Sequence, residues 1–135
     1  MQTIKTTGEL KGSEKQVAWG YDLRERADAK INAEYGRRLA KIMDKHVKRN
    51  GDEMSEEEVA RYREKMTAKL DAEFSRYADG LASIRYAKTF IEFRAHFDEH
   101  GEFSGSIFEP EGMSFGWYQS MPAWERYGIE MGDLK

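Results

Sequence analysis

Cysteine is absent from this sequence of 135 residues, and proline occurs only twice. The lack of cysteine excludes a disulfide framework, a cysteine-based zinc site and a thiol nucleophile. No stretch approaches the roughly 20 apolar residues that span a bilayer, and the first twelve residues contain no apolar run of the signal-peptide kind. The sequence therefore predicts a cytoplasmic protein that does not enter a membrane.

Charged residues are abundant, at 35 % of the chain against 39 % for the hydrophobic set. This balance is typical of elongated helical proteins with much hydrated surface. The 25 acids and 22 bases leave a net charge of −3, whereas a dedicated nucleic-acid-binding protein usually has an excess of lysine and arginine. The length predicts one domain with a sizeable core.

A first long helix is predicted to begin at Glu14 and to end at Asn50. Ser13 and Gln16 have the spacing of a capping box, in which each side chain bonds the backbone amide of the other residue. At the other end, the pair Asn50-Gly51 is a strong stop signal.

The apolar residues of this helix recur mostly every four positions. Because four residues exceed one turn of 3.6, the apolar stripe drifts around the helix. Such a helix either wraps its partner or is interrupted, and Gly20 and Gly36 are the expected weak points. The row consists of Trp19, Leu23, Ala27, Ile31, Tyr35, Leu39 and Ile42.

A second helical stretch is predicted from Ser55 to His100, as one long helix or two helices in line with a bend near Gly80. Ser55 and Glu58 form another capping box, and the short connection predicts an antiparallel hairpin with the first helix. The apolar positions form a heptad-like seam, which we expect to be buried from residue 70 to residue 84. They are Val59, Tyr62, Met66, Leu70, Phe74, Tyr77, Leu81, Ile84, Ile91 and Ala95.

Aromatic and aliphatic rows together cover about half the circumference of residues 84–97 by the 100°-per-residue rule. One partner helix covers only a stripe of such a surface. The second cover comes either from the C-terminal residues or from another copy of the chain. If the C-terminal residues do not supply it, a homodimer is the expected solution.

The composition changes near Gly101. Residues 101–135 hold both prolines, six of the twelve glycines, seven of the seventeen aromatic residues and a net charge of −4. This predicts a helical hairpin body over residues 1–100 and an irregular, aromatic and acidic C-terminal appendage over 101–135, packed on or extending from the same domain. The predicted fold is therefore mainly α, an antiparallel long-helix hairpin with that appendage.

The appendage contains the residue types that are enriched at the centres of protein interfaces. The alternative is that these side chains pack on the chain's own helices and close its core. For binding, we expect aromatic anchors, with two glutamates that steer a basic target. The candidate residues are Phe115, Trp117, Tyr118 and Trp124 as anchors and Glu109 and Glu111 as steering charges.

A basic run near the end of the first helix is the best candidate for a nucleic-acid site, because its cations could neutralise phosphates. Cations at a helix C-terminus also complement the helix dipole, and the acids at the start of the next helix would lie nearby. The intramolecular interpretation is favoured. The run consists of Arg37, Arg38, Lys41, Lys45, Lys48 and Arg49.

Glu92, His96 and His100 follow one another at four-residue spacing, which would place three potential metal ligands on one helix face. The order HFDEH lacks the glutamate of the zincin motif, and solvated side chains are the favoured interpretation. No nucleophile elbow, dinucleotide fingerprint or phosphate-binding loop occurs in the sequence. We therefore predict no metal site, no cofactor and no enzyme activity.

The stretch from Leu10 to Trp19 has the form L-x-G-S-E-K-Q-x-x-W. It resembles the opening of small helical proteins of bacterial phages and mobile elements. The resemblance implies a non-enzymatic factor that binds a host bacterial protein or complex, and an anti-CRISPR-like inhibitor of a host nuclease complex is one specific form of it. A nucleic-acid-binding module that uses the basic run is the alternative.

Overall fold

The computed structural model describes residues 3–50, 54–98, 100–103 and 108. Helix α1 spans Glu14–Asn50, α2 spans Glu56–Ala82, and α3 spans Ala87–Glu92. A short 3₁₀ helix follows over Arg94–Phe97. The mainly α prediction is confirmed. None of the helices in these ranges is long and apolar enough to cross a membrane.

Both long helices begin at the predicted caps. The Ser13 amide donates to Oε1 of Gln16 at 3.1 Å, and the Gln16 amide donates to Oγ of Ser13 at 3.2 Å, which completes the capping box of α1. At the start of α2, the Glu58 amide donates to Oγ of Ser55 at 3.2 Å. Local sequence therefore fixes where each helix starts.

Helices α1 and α2 form the predicted antiparallel hairpin. Residue numbers that rise along α1 meet falling numbers along α2, which requires opposite helix directions. Three side-chain pairs show this: Tyr35 packs on Phe74, Arg38 bonds Glu73, and His46 stacks on Tyr62.

The core follows the two predicted rows. The seam residues Leu70, Phe74, Tyr77, Leu81 and Ile84 are all buried, as expected. On α1, burial follows the steps of four from Leu23 through Ala27, Ile31, Tyr35 and Leu39, and it continues at Met43. Because this row drifts, α1 presents different faces along its length and packs against α2, α3 and the 3₁₀ helix.

The helix predicted over residues 55–100 is interrupted, so the expectation of a continuous or in-line helix is wrong. Helix α2 continues through Gly80 and ends at Ala82, where the Ser83 hydroxyl donates to the Gly80 carbonyl at 2.6 Å. Beyond it, backbone bonds to Lys11 hold the chain extended: the Lys11 amide donates to the Arg85 carbonyl at 2.8 Å, and the Ala87 amide donates to the Lys11 carbonyl at 2.9 Å. The connector is thus held by a segment about 75 residues earlier in the chain.

The N-terminal segment 3–12 lies along α1 in the opposite direction. Its backbone groups bond α1 side chains, because an extended segment beside a helix has few helix backbone groups to pair with. The bonds join Ile4 to Asn32 at 2.9 and 3.0 Å, Thr6 to Asp28 at 2.8 and 2.6 Å, Gly8 to Arg24 at 2.9 Å, and Leu10 to Tyr21 at 3.1 Å.

The apolar surface of residues 84–97 is covered in part within the chain: Ile91 and Phe93 are half-buried, and Ala95 is exposed. Tyr86, Phe90 and Phe97 are buried. Phe108 is fully buried, with its ring centroid 6.0 Å from that of Phe97 and 5.3 Å from that of Phe103. Phe108 thus supplies part of the second cover from the C-terminal region, and the homodimer stays a prediction.

Helix α1 runs unbroken through both glycines that were expected to weaken it. At Gly20, an added Cβ would lie 2.8 Å from Cβ and 3.0 Å from Cα of Ala87, so glycine here permits the close approach of α3. At Gly36, an added Cβ would meet nothing within 4 Å. The two glycines therefore differ: one is needed for packing, and the other is not.

We expect opposite effects from alanine at these two positions. Gly36→Ala should raise the free energy of unfolding by about 0.5–1 kcal/mol, since alanine loses less backbone entropy in a helix. Gly20→Ala should lower it by about 1–2 kcal/mol, because overpacking against Ala87 outweighs the same gain. Urea unfolding measures both changes, and equal stabilisation by the two substitutions would contradict the close approach.

Candidate functional site

An open groove of about 1430 Å³ lies between α1 and residues 94–103. Side chains of α1 form one wall, and the 3₁₀ helix with the residues after it forms the other. We call this surface the α1 groove. Its lining includes Trp19, Arg26, Lys30 and Arg37 on α1 and Arg94 and Phe103 on the opposite wall.

The α1 residues of the groove share one face because of their spacing. Trp19 and Lys30 are 11 residues apart, as are Arg26 and Arg37. Eleven residues complete three helical turns to within about 20°, so residues at this spacing stay in line. The core row of α1 advances in steps of four, so its side chains turn progressively away from the line of the groove residues.

Trp19 was predicted as part of the apolar row, but it is 46 % exposed. Its ring lies under the Arg94 guanidinium, with Cζ 5.7 Å from the ring centroid, which is a cation–π contact. Arg94 is fixed further by a hydrogen bond from Nη1 to the Ile91 carbonyl at 2.8 Å. One end of the groove therefore presents a large, partly exposed indole with an oriented guanidinium beside it.

The middle of the groove contains a buried carboxylate with two arginine partners. Arg37 Nε donates to Glu34 at 3.0 Å, and Arg38 Nε donates to it at 3.2 Å. The hydrogen bond from Arg37 lowers the pKa of Glu34, although burial acts in the opposite direction. Further along α1 toward its start, Arg26 pairs with Asp22 at 3.3 Å.

Arg38 also ties the groove to the hairpin. It donates from Nη1 to Oε1 of Glu73 on α2 at 2.6 Å, and the Tyr77 hydroxyl donates to the same oxygen. Burial raises the pKa of Tyr77 to about 12, and the neighbouring Glu73 adds to the effect. Burial acts to raise the pKa of Glu73, but the bonds from Tyr77 and Arg38 outweigh it and lower that pKa.

This network predicts a specific acid sensitivity. Because the folded-state pKa of Glu73 lies below its ordinary value of 4.5, its stabilisation is present above about pH 4.5 and is lost as the pH falls through the folded-state pKa. Glu73→Gln should cost about 1 kcal/mol of unfolding free energy at pH 7, a modest value for a half-exposed pair. The cost should vanish at low pH in urea titrations.

The control for this prediction is Glu64→Gln, which changes an exposed glutamate on the same helix. It should alter the free energy of unfolding by less than about 0.5 kcal/mol at either pH. If Glu73→Gln lowered the free energy of unfolding equally at both pH values, the charge of the carboxylate would not contribute to stability.

The basic run divides into three environments. Arg37 and Arg38 line the groove and pair with Glu34 and Glu73. Lys41 and Lys45 are exposed on α1, and Lys48 pairs with Asp44 at 3.0 Å. The Arg49 side chain lies outside the described part of the structure. Within that part, the ion-pair partners of the run are on α1 and in the middle of α2, while Asp52 and Glu53, which the sequence places near the run, lie outside it.

The three potential metal ligands do not share a helix face. Glu92 is the last residue of α3, whereas His96 belongs to the 3₁₀ helix and His100 follows it. Residues four positions apart share a face only within one continuous helix, so the break between α3 and the 3₁₀ helix separates these side chains. The described residues contain no group of three or more histidine, cysteine or acidic side chains that could hold a metal ion.

The predicted partner-binding residues lie outside the described residues. They are Glu109, Glu111, Phe115, Trp117, Tyr118 and Trp124. Conversely, Trp19, Lys30 and Arg94 were not predicted as site residues. The 11-residue spacing of Trp19, Lys30 and Lys41 could have indicated the two on α1, but no local pattern placed Arg94 beside Trp19.

A comparison of the chain with models of known protein families finds no match, and comparisons with curated proteins and with solved structures find none either. The indole, the guanidinium groups and the ammonium group of the α1 groove suit recognition of a surface that is both apolar and acidic.

Proposed function

We propose that this chain is a non-enzymatic protein-binding factor and that its partner docks in the α1 groove. The observation that supports this proposal is Trp19, which is 46 % exposed at the start of a row whose following members are buried. Tryptophan and arginine are the residues most enriched among interface hot spots, and Trp19 lies directly under Arg94. An indole held in place before binding loses little conformational entropy when a partner covers it.

The titratable groups with perturbed pKa values support a binding role over catalysis. Asp28 holds the N-terminal segment through Thr6, and burial raises its pKa. Tyr35 bonds Asp71 at 2.8 Å across the hairpin, and burial raises its pKa as well. Such perturbed groups often mark active sites, but these two are engaged in holding the fold together.

The resemblance of the opening to proteins of phages and mobile elements supplies the proposed setting. Within that stretch, Leu10 is buried, Gly12 has a positive φ of 147°, and Ser13 caps α1. Folding accounts for these residues, whereas the exposure of Trp19 is accounted for by binding. We therefore propose a cytoplasmic factor that acts on a host protein or complex, with inhibition of a host nuclease complex as the specific form.

The C-terminal aromatic residues remain part of this proposal. Trp117, Tyr118 and Trp124 are anchors that would extend the contact beyond the groove, with Glu109 and Glu111 as charges that steer the encounter. Phe103 and Phe108, which precede them, pack against the core beside the groove. Phe103 itself lines the groove.

The test compares two apolar residues of α1 that have the same exposure. Trp19 and Val47 are both 46 % exposed, but only Trp19 lines the groove. For a partner captured from a bacterial lysate by the wild-type chain, Trp19→Ala should weaken binding at least tenfold, about 1.4 kcal/mol, as expected for a hot spot. Val47→Ala should change it less than about twofold.

Titration calorimetry with the identified partner gives both values, and circular dichroism checks that each variant keeps its fold. A photo-crosslinking residue at position 19 should attach to the same partner, whereas one at position 47 should not. Equal effects of the two alanine substitutions would contradict docking in the groove.

A nucleic-acid-binding function is the second candidate. It is favoured by one observation: Lys41 and Lys48 continue the row of Lys30 and Arg37 at the same 11-residue spacing, so cations lie in line along about 27 Å of α1. If this row binds phosphates, a labelled 20-residue oligothymidine should be retained with a steep dependence on salt. Lys41→Gln with Lys45→Gln should then reduce that dependence, while Arg38, which holds α1 to α2, is left unchanged.

A further inference from the structure

We infer that the α1 groove recognises an acidic protein segment, and that two of its carboxylates bind Lys30 and Arg94. This inference rests on the proposed function and names the chemistry of the partner. It starts from the charges that line the groove. Five lysine or arginine residues do so: Arg26, Lys30, Arg37, Arg38 and Arg94.

These five cations fall into two groups. Arg26, Arg37 and Arg38 each have a carboxylate within ion-pair distance. Lys30 and Arg94 have none among the described residues. Within the described part of the chain, three of the charges are therefore compensated and two are left for a ligand.

Of the two cations, Lys30 has the greater need of a negatively charged partner, because it is only 9 % exposed. Its ammonium group donates one hydrogen bond, to the Asp98 carbonyl at 2.7 Å, and it has three donors. Burying a charge is costly unless it is paired, and a carboxylate that enters the groove would supply the missing charge. Gly101 keeps the approach open, because a Cβ there would lie 3.3 Å from the Lys30 Nζ.

Arg94 is exposed but held in position. One guanidinium nitrogen donates to the Ile91 carbonyl, and the group lies over the Trp19 ring. The remaining donors of the guanidinium are arranged for a bidentate bond to a carboxylate. Because the guanidinium is already ordered, that bond costs less conformational entropy than one to a freely moving arginine.

The distance between the two positions sets the length of the segment. Arg94 lies at Trp19, and Lys30 lies 11 residues further along α1, which is about 16 Å at 1.5 Å per residue. An extended chain covers that distance in about five residues at 3.3 Å each. The partner segment therefore has at least six residues, with acidic groups near both ends.

The groove favours a protein segment over a nucleic-acid strand. Glu34, Asp98 and Glu102 also line it. A strand with a phosphate at every nucleotide would bring negative charge close to these carboxylates, which costs free energy. A protein segment can place neutral or apolar side chains there, facing Leu23 and Phe97.

The experiment uses two fluorescein-labelled peptides as probes, measured by anisotropy with the full chain at low salt: a ten-residue peptide with two glutamates at each end and neutral serine and alanine residues between them, and a four-residue peptide of glutamates alone. The ten-residue probe can reach both cations, whereas the four-residue probe reaches only one, so the longer probe should bind at least tenfold more tightly. Lys30→Met and Arg94→Gln should each weaken the longer probe about tenfold. Arg26→Gln, which changes a groove cation that already has a partner, should weaken it less than about twofold.

Two further arms keep the test decisive. Lys30→Arg keeps the buried positive charge, so this variant should bind the longer probe as tightly as the wild type if Lys30→Met weakens binding through the loss of charge. The unfolding midpoints of all variants are compared to check that each variant is folded. An equal loss of affinity for the longer probe in Arg26→Gln, Lys30→Met and Arg94→Gln would overturn the inference. Tighter binding of an oligothymidine of 20 nucleotides, with the same dependence on Lys30 and Arg94, would also overturn it. If capture of the partner depends on Trp19 but not on Lys30 or Arg94, the proposed function stands and the acidic segment does not.

Discussion

The core row of α1 advances four residues at a time, and each step exceeds a full turn by about 40°. From Leu23 to Met43 the buried face therefore turns by about 200° around the helix. A single straight partner helix cannot follow such a face. The fold instead meets it with different elements: the hairpin partner α2, and the group formed by α3 and the 3₁₀ helix. Trp19, Lys30 and Arg37, which line the groove, keep one direction along α1 and do not turn with the core row.

The parts of the fold that sequence could predict are those that depend on near neighbours. Ser13 with Gln16 and Ser55 with Glu58 determine helix starts within one turn, and the structure places both starts there. The heptad-like spacing from Leu70 to Ile84 identified the buried face of α2, because a helix fixes the relative directions of residues three and four apart.

The parts that sequence could not predict depend on contacts between distant residues. Helix α2 ends at Ala82, and the residues that follow it are held extended by backbone bonds from Lys11 to Arg85 and Ala87. The sequence around Ala82 does not indicate this contact with Lys11. Gly20 appeared to be a weak point because helix propensity alone disfavours glycine, but the contact with Ala87 reverses its role. In the same way, Trp19 had the spacing of a core residue, and no local pattern placed Arg94 over its ring.

The ionic interactions of the body divide into two kinds with different consequences. Pairs within α1, such as Arg26 with Asp22 and Lys48 with Asp44, are exposed and contribute little to stability. The bonds that Arg38 makes to Glu34 and Glu73 connect α1 with α2 beside the groove, so they fix the wall on which a partner would rest. Protonation at low pH has opposite effects on the stability contributed by these two carboxylates and by Asp28. The pKa values of Glu34 and Glu73 are lowered in the folded state, whereas that of Asp28 is raised.

The close approach of α3 at Gly20 and the exposed indole of Trp19 occupy neighbouring positions on α1. Gly20 allows Ala87 to pack against the helix, and this contact brings in the chain that continues to Arg94. Arg94 then lies over Trp19, the residue before Gly20. Since the wall of the groove begins at the contact between α1 and α3, the packing at Gly20 sets the position of the guanidinium relative to the indole. Under the proposed function, stability and recognition are therefore coupled at this turn of α1: a substitution that moves α3 outward would move Arg94 with it and change the width of the groove where a partner's carboxylate would enter.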